Sequence, residues 1–395
     1  MITLRDLLLD SRDGEWGKGE QFDQSVLMHV IRGTDFEDTR LGVVDDIPVR
    51  HIAARHAARK LLQPWDIIIE TAGGSKDRPT GRTVLLTPFR FGRFEHAITC
   101  ASFARFLRID PKKASPAFVF WKLQDMYERR ELLRFHTQHT GVARFQFTTF
   151  ADNWPLALPP MGDQRRIADI LSAYDDLIEN NTRRIAILEE MARRLFEQWF
   201  VQRRAPVALS GSGDWIEASI GDAFTLQRGF DLPASERTNG PYPVVAASGI
   251  HGFHREYKVL GPGVTTGRSG TIGQFQYIEG NFWPLNTSLW IKEFKHGGPI
   301  FAYYLLSSLD LTGNNTGAAV PSLNRNIVHS MPTILPPLPM VSAFEAIAGD
   351  MRRNISALTD ANTNLRTTRD LLLPKLISGE IEVRAAEEAL EAVAA

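Results

Sequence analysis

The stretch that decides the fold is "DQRRIADILSAYDDLIENNTRRIAILEEMARRLFEQWF", Asp163–Phe200, near the middle of a 395-residue chain. It holds no proline and reads as one helix. A repeating set of positions runs through it: Ile167, Leu171, Tyr174, Ile178, Asn181, Ile185, Leu188, Ala192 and Leu195. The steps alternate four and three, as the a/d seam of a coiled coil requires. At 1.5 Å per residue such a helix spans on the order of 50 Å. Taken alone, it is most simply an amphipathic core helix.

A second copy changes that reading. "LALPPMGDQRRIADILSAYDDLIENN", from Leu156, lies over "TILPPLPMVSAFEAIAGDMRRNISAL", from Thr333. Both place Leu-Pro-Pro just before the helix, where proline costs no hydrogen bond. The same frame gives Phe344, Ala348, Met351, Ile355, Leu358, Asn362, Leu365, Arg369 and Leu372. Each seam carries one asparagine, a residue that sets register at a cost in stability. Gly349 and Arg369 are weak points, and Pro374 with "SGE" from Ser378 is expected to stop the second helix. Neither seam can be buried alone, so the two helices are expected to pair.

The segments before the helices also correspond. "LLQPWDIIIETAGGS" (Leu61–Ser75) resembles "VLGPGVTTGRSGTIG" (Val259–Gly273), a short strand and then a Gly/Ser turn. "HTGVARFQF" (His139–Phe147) resembles "NTGAAVPSL" (Asn315–Leu323). β-Rich runs such as "YPVVAA" and "TVLLTPF" mix with helical pieces such as "PAFVFWKLQDMYERRELLRF". The expectation is an α+β fold with an internal repeat: globule, long helix, globule, long helix.

Composition narrows the function. No apolar run reaches the roughly 18–20 residues of a membrane span, and "MITLRDLLLDSRDGEWG" lacks a signal-peptide pattern. Cys100 is the single cysteine, so an internal disulfide or a thiolate zinc site is excluded and a cytoplasmic location is expected. A net charge of −1 argues against a wholly basic nucleic-acid coat, though not against local patches.

No catalytic set is apparent. In "GPGVTTGRSG" the glycines Gly261 and Gly263 miss the Walker spacing to Gly267, and Arg268 stands where lysine belongs. The histidine pairs His136/His139 and His251/His254 have no obvious third ligand. Asp45–Asp46 and Asp175–Asp176 are paired carboxylates; the second pair lies off the seam and reads as a solvated face. What remains suits binding. Arginine forks and backbone amides at Gly/Ser turns hold phosphates and read guanine edges. The second globule offers Gln227, Arg228, Arg268, Ser269, Thr271, Asn286, Asn324 and Arg325. The first offers Arg32, Thr34, Ser75, Lys76, Arg78, Thr80, Arg82, Arg144 and Gln146. Any one of these serves equally well as a plain turn residue; as two parallel sets they point to a binding surface.

At these residues the chain resembles the specificity subunit of type I restriction–modification systems. The most specific matches are "LQRGFDLP", "YPVVAASGIHGFHREYKVLGPGVTTGRSGTIG", "FWPLNTSLWIKEF" and "GAAVPSLNRNIVHSMPTILPPLP". The Asp163–Phe200 block resembles the family's central conserved region, and "VIRGTDF" with "IIIETAGGSKDRPTGR" resembles a target recognition domain of another subtype. "PPLPMVSAFEAIAG" departs from the pattern by lacking Glu-Gln after the prolines.

The resemblance implies target recognition domains at 1–157 and 205–334, helical spacers at 158–204 and 335–380 running antiparallel, and an acidic, alanine-rich tail at 381–395. It implies that each recognition domain reads one half of a split, asymmetric double-stranded DNA site, with helix length setting the gap. The partners implied are methylation subunits, two of them, and restriction subunits. S-adenosylmethionine for adenine N6 methylation, ATP and Mg²⁺ would be held by those partners, and no cofactor or metal by this chain. Rival readings are an enzyme with its own target domains, which lacks its motifs here, or a two-module DNA-binding or scaffold protein serving a different effector.

Overall fold

Thr3 starts the first globule. Its amide and hydroxyl both donate to the Asp6 carboxylate, at 2.9 and 3.0 Å, closing a capping box on the short helix α1 (Leu4–Leu7). The chain continues through β1 (Leu8–Asp13), β2 (Ser25–Ile31), α2 (Phe36–Arg40), β3 (Val49–Ala53), α3 (Ala54–Lys60), β4 (Ile67–Glu70) and β5 (Thr83–Leu85). Then come α4 (Pro88–Phe91), β6 (Ala97–Cys100), β7 (Ala104–Ile109), α5 (Pro116–Glu128), β8 (His136–Gln138), β9 (Ala143–Phe145) and α6 (Phe147–Asn153). One antiparallel sheet has the order β1-β7-β4-β5; a second, β3-β2-β6, pairs β2 with β6 in parallel. β4 is buried on both faces. Ile67 and Ile69 pack toward the helix α5, whose Phe118 and Trp121 are fully buried, while Ile68 packs with Val84 and Phe106. That is the two-residue strand period at work.

The computed structural model describes residues 2–74, 78–138, 143–210, 213–311, 322–384 and 386. The chain divides into two units, Met1–Arg184 with Leu358–Ala395, and Ile185–Ala357. The long helix α7 (Met161–Phe196) begins in the first unit, ends in the second, and closes with a π-turn over Glu197–Val201.

The second unit repeats the strands of the first's two larger sheets one for one. After α8 (Val207–Ser210) and β10 (Ile216–Ser219), the Ser219–Asp222 capping box opens α9 (Ile220–Ala223), the counterpart of α1. Next come β11 (Phe224–Arg228), β12 (Tyr242–Ala246), β13 (Gly249–His254), β14 (Gly263–Gly267), β15 (Phe275–Ile278), β16 (Trp283–Pro284) and β17 (Ser288–Phe294). α10 (Pro299–Ser307), α11 (Arg325–Ser330), β18 (Pro332–Leu335) and the long helix α12 (Leu338–Ser378) complete it. The sheet orders are β11-β17-β14-β15 and β13-β12-β16, again with one parallel pair, β12 with β16. The equivalence extends to a close approach. Gly14 follows β1 and Gly229 follows β11; a Cβ would fall 1.9 Å from the Cys100 carbonyl oxygen at the first and 2.2 Å from that of Leu285 at the second. Only glycine fits at either place.

Within each unit α7 packs against α12, and every named seam position is buried or half-buried. In the first unit Asn181 Nδ2 donates to Asn362 Oδ1 at 3.0 Å, and Asn362 Nδ2 donates to Thr182 Oγ1 at 3.3 Å. In the second, Phe344 is fully buried among Phe196, Phe200 and Tyr304.

Two expectations about these helices need correction. Asp175 is not on a solvated face: it is 5% exposed and lies among three arginines. Arg40 of α2 grips it through two bonds of 2.7 and 3.0 Å, Arg369 of α12 reaches it at 2.5 Å, and Arg90 lies 3.8 Å away. Arg369, a weak point in a purely apolar seam, therefore meets a buried acid. Pro374 does not stop α12, which runs on to Ser378 and ends at Gly379 (φ +76°). The flanking Leu373 and Leu376 are buried in the first unit's core, and that burial outweighs the one hydrogen bond proline removes.

Burial alone would raise the Asp175 carboxyl, but Arg40, Arg369 and Arg90 outweigh it and hold it below its ordinary value of 3.8. Its stabilisation is therefore complete above that value and fades as pH falls through the lower, folded one. Asp175→Ala leaves Arg40 without its carboxylate and takes one of two from Arg90 and Arg369, and should cost about 3–5 kcal/mol in urea unfolding. It should also flatten the acid limb of the stability curve. For the asparagine pair, Asn362→Ala should cost about 1–3 kcal/mol by orphaning Asn181. The double replacement Asn181→Leu/Asn362→Leu should cost less than the sum of the single ones, as a double-mutant cycle would measure.

Candidate nucleic-acid interface

In the second unit β14 ends at Gly267, where a Cβ would collide with the Thr271 carbonyl oxygen at 1.6 Å. The tight fold-back needs glycine and aims the next two amides at one acceptor. Arg268 and Ser269 both donate to the Thr287 carbonyl, at 2.8 and 3.1 Å. The Arg268 guanidinium donates to the Asn286 carbonyl at 3.2 Å, and the Leu323 amide returns to the Arg268 carbonyl at 2.8 Å. Asn324 then caps α11, accepting from the Asn326 amide at 2.9 Å, so that Arg325 sits on the first turn.

These turns gather Arg228, Arg268, Ser322, Asn324 and Arg325 around an open cleft of about 440 Å³. Its lining holds three arginines and no carboxylate. Arg228 lies 4.0 Å from Asp231 with both side chains more than half exposed, a weak pair in water. No described acid pairs with Arg325. Four of the eight sequence candidates thus share one cleft. Asn286 bonds through its side chain to Asp231, while Gln227 faces Trp290 in the β11–β17 ladder.

The first unit builds the equivalent turn differently. Ala72 bridges Arg144, the Phe145 amide donates to the Thr71 carbonyl at 2.8 Å, and Arg144 and Gln146 are left exposed. Gln146 shares a cleft of about 360 Å³ with Thr71, Arg105, Thr148 and Thr149. Arg105, which sequence reasoning missed, clamps Asp13 at 2.8 and 3.0 Å. Nothing in the sequence pairs these two residues; they meet because β7 lies beside β1.

Four first-unit candidates are committed to the fold itself. Arg32 makes a bidentate bond to Asp35, which Thr34 also meets at 3.3 Å. Arg82 clamps Glu70 at 2.7 and 3.0 Å and donates to the Gly33 carbonyl at 2.6 Å. Burial works against the Arg82 charge, yet Glu70 outweighs it and raises the guanidinium above its usual value. Thr80 is fully buried with its hydroxyl 3.0 Å from His136 Nδ1. Arg78 is exposed, and Ser75, Lys76 and His139 lie outside the described residues. Among the described residues no three His, Cys, Asp or Glu side chains are placed to hold a metal ion, and no helix is long and apolar enough to cross a membrane.

Comparison with known proteins follows the same division. A family model, the type I restriction modification DNA specificity domain, matches residues 95–190 and 212–343, more than half of the chain. The specificity subunit of the type I restriction enzyme MjaIX from Methanocaldococcus jannaschii is 26% identical over 263 residues. That match takes in 57% of this chain and spans 60% of the relative's length. The crystal structure of the S subunit of a type I restriction–modification system from M. genitalium has the same fold. It gives a TM-score of 0.59 at 17% identity, over 95% of this chain and 94% of that one.

Proposed function

The chain belongs to the type I restriction modification DNA specificity family, and on that premise we propose that it is the sequence-reading subunit of such a complex. The observation that carries this is the duplication. Two units of one topology each end in a long helix, and each presents polar side chains where a strand's closing turn bridges a segment just before a short helix. A twofold reader of that kind suits a split DNA site. Asymmetry of the site follows from the differing side chains, Arg144 and Gln146 in one unit and Arg228, Arg268, Asn324 and Arg325 in the other. Arg78 is exposed and joins the first set, with Ser75 and Lys76 retained from the sequence. Arg32, Thr34, Thr80 and Arg82 act by holding the first unit's turns in shape.

On this reading the chain supplies address rather than chemistry, and works in the cytoplasm beside the DNA. Methylation subunits, two per chain, carry S-adenosylmethionine to adenine; restriction subunits supply ATP- and Mg²⁺-dependent cleavage.

Two measurements test this. The first is a methylome: co-expression with the neighbouring methylation subunit in a methylation-free host should yield a split, asymmetric N6-methyladenine motif only when this chain is present. Replacing the first unit's recognition segment should change one half of that motif, and change in both halves would sink the two-reader idea. The second is the salt dependence of DNA binding by the assembled complex. If Arg268 and Arg325 each neutralise a phosphate, the double alanine variant should lower the log–log slope by about 2.

A further inference from the structure

A cavity of about 580 Å³ in the first unit is lined by none of the residues proposed to contact DNA. Its walls come from four elements: Trp65 in the loop before β4, Phe89 in α4, Ala117 in α5, and Asp169, Asp176, Glu179 and Arg183 along α7. Both rings are left open to solvent, Trp65 44% exposed and Phe89 49%. Such large aromatic faces beside a helix are normally covered.

The charge of the lining selects the occupant. Three carboxylates face one arginine, and Glu179 also lies 3.5 Å from Arg90. Among the described residues Asp169 and Asp176 meet no basic side chain within ion-pair distance. Glu179 is buried, and that burial raises its carboxyl above its ordinary value with Arg90 opposing it only in part; Asp176, though exposed, is raised as well, by partial desolvation and by the neighbouring Asp175. An arriving cation would relieve that penalty. An acidic wall repels phosphate, so nucleic acid does not suit this face. The unit's own packing shows what does suit: Arg183 lies 5.3 Å from the Phe89 ring centre, and Arg40 lies 5.2 Å from that of Trp121. No cation lies over Trp65 among the described residues.

The repeat sharpens the point. In the frame shared by the two long helices, Asp169, Asp176 and Glu179 correspond to Ala346, Arg353 and Ser356 of α12. The acidic wall belongs to one unit alone.

We propose that the Trp65–Phe89–Asp176 cavity receives an arginine or lysine side chain of a protein that assembles with this chain. The guanidinium or ammonium stacks on Trp65 and pairs with Asp176 and Asp169, an arrangement favoured by both cation–π attraction and charge. This rests on the reading of the chain as a subunit of a methylation complex, and it makes the two ends of that complex chemically unequal.

The test titrates the purified full chain with the methylation subunit encoded beside it, by calorimetry at low and high salt. Asp176→Asn, Trp65→Ala and the charge-reversing pair Asp169→Lys/Asp176→Lys should each weaken assembly, the last by roughly tenfold or more, with a smaller dependence on salt. Ala346→Lys, at the matching position of α12, should leave affinity unchanged. Urea midpoints within error of wild type separate lost docking from lost folding, and Asp176→Asn, nearly isosteric, guards against the latter. Wild-type affinity in the charge-reversed variant overturns the cavity's assignment while leaving the proposed function standing. Failure of the unaltered chain to bind the methylation subunit overturns both.

Discussion

One buried carboxylate organises the first unit. Asp175 sits on the outer side of the α7 seam, where a polar residue would ordinarily face water. Arg40, Arg90 and Arg369 bring α2, α4 and α12 onto it. Buried charges are costly to leave unpaired, so the cluster tolerates little misplacement of any one of these helices. Arg40 also lies over the rings of Phe120 and Trp121, which ties the ionic cluster to the apolar packing beneath. The register of α7 against α12 is set by this cluster together with the Asn181–Asn362 bond one turn and a half along.

The second unit solves the same problem with other means. In the shared frame Asp175 corresponds to Arg352, which lies 4.5 Å from the Tyr277 ring centre and 5.3 Å from that of Tyr303. The cation comes from the long helix itself rather than from a counterpart of α2, and rings replace the acid. Elsewhere along these helices Phe196, Phe200, Phe301 and Phe344 form an aromatic cluster, with Phe344 at the seam position that Ile167 holds in the first unit. Duplication preserved topology, capping boxes and the Gly14/Gly229 close approach, while the polar contacts at the helices diverged. Backbone constraints allow few alternatives; side-chain pairings allow many.

That difference explains which candidates for DNA contact could be read in advance. Turns with a backbone signature, such as Gly267 followed by Arg268 and Ser269, stand out in sequence because glycine is needed there. Arginine carries no such signature. Arg82 and Arg268 look alike as letters in a Gly-rich loop. One is clamped by Glu70, twelve residues upstream across a strand pair, while the other lines an open cleft. Arg105 was invisible for the converse reason, since its partner Asp13 and the cleft it borders come from strands distant in sequence.

What the sequence by itself determined is the periodic part of the protein. A four–three seam, a second copy in the same frame and matched Leu-Pro-Pro starts are local patterns, and local patterns follow from helix geometry and proline chemistry alone. Pro374 marks their limit, because burial of Leu373 and Leu376 carried the helix through a residue that ordinarily ends one. The tertiary structure alone decided which polar groups are structural and which are open. Asp175 and Arg40 lie 135 residues apart, and no periodicity relates them. An ion pair depends on where two backbones meet in space, and the sequence encodes that only through the whole fold.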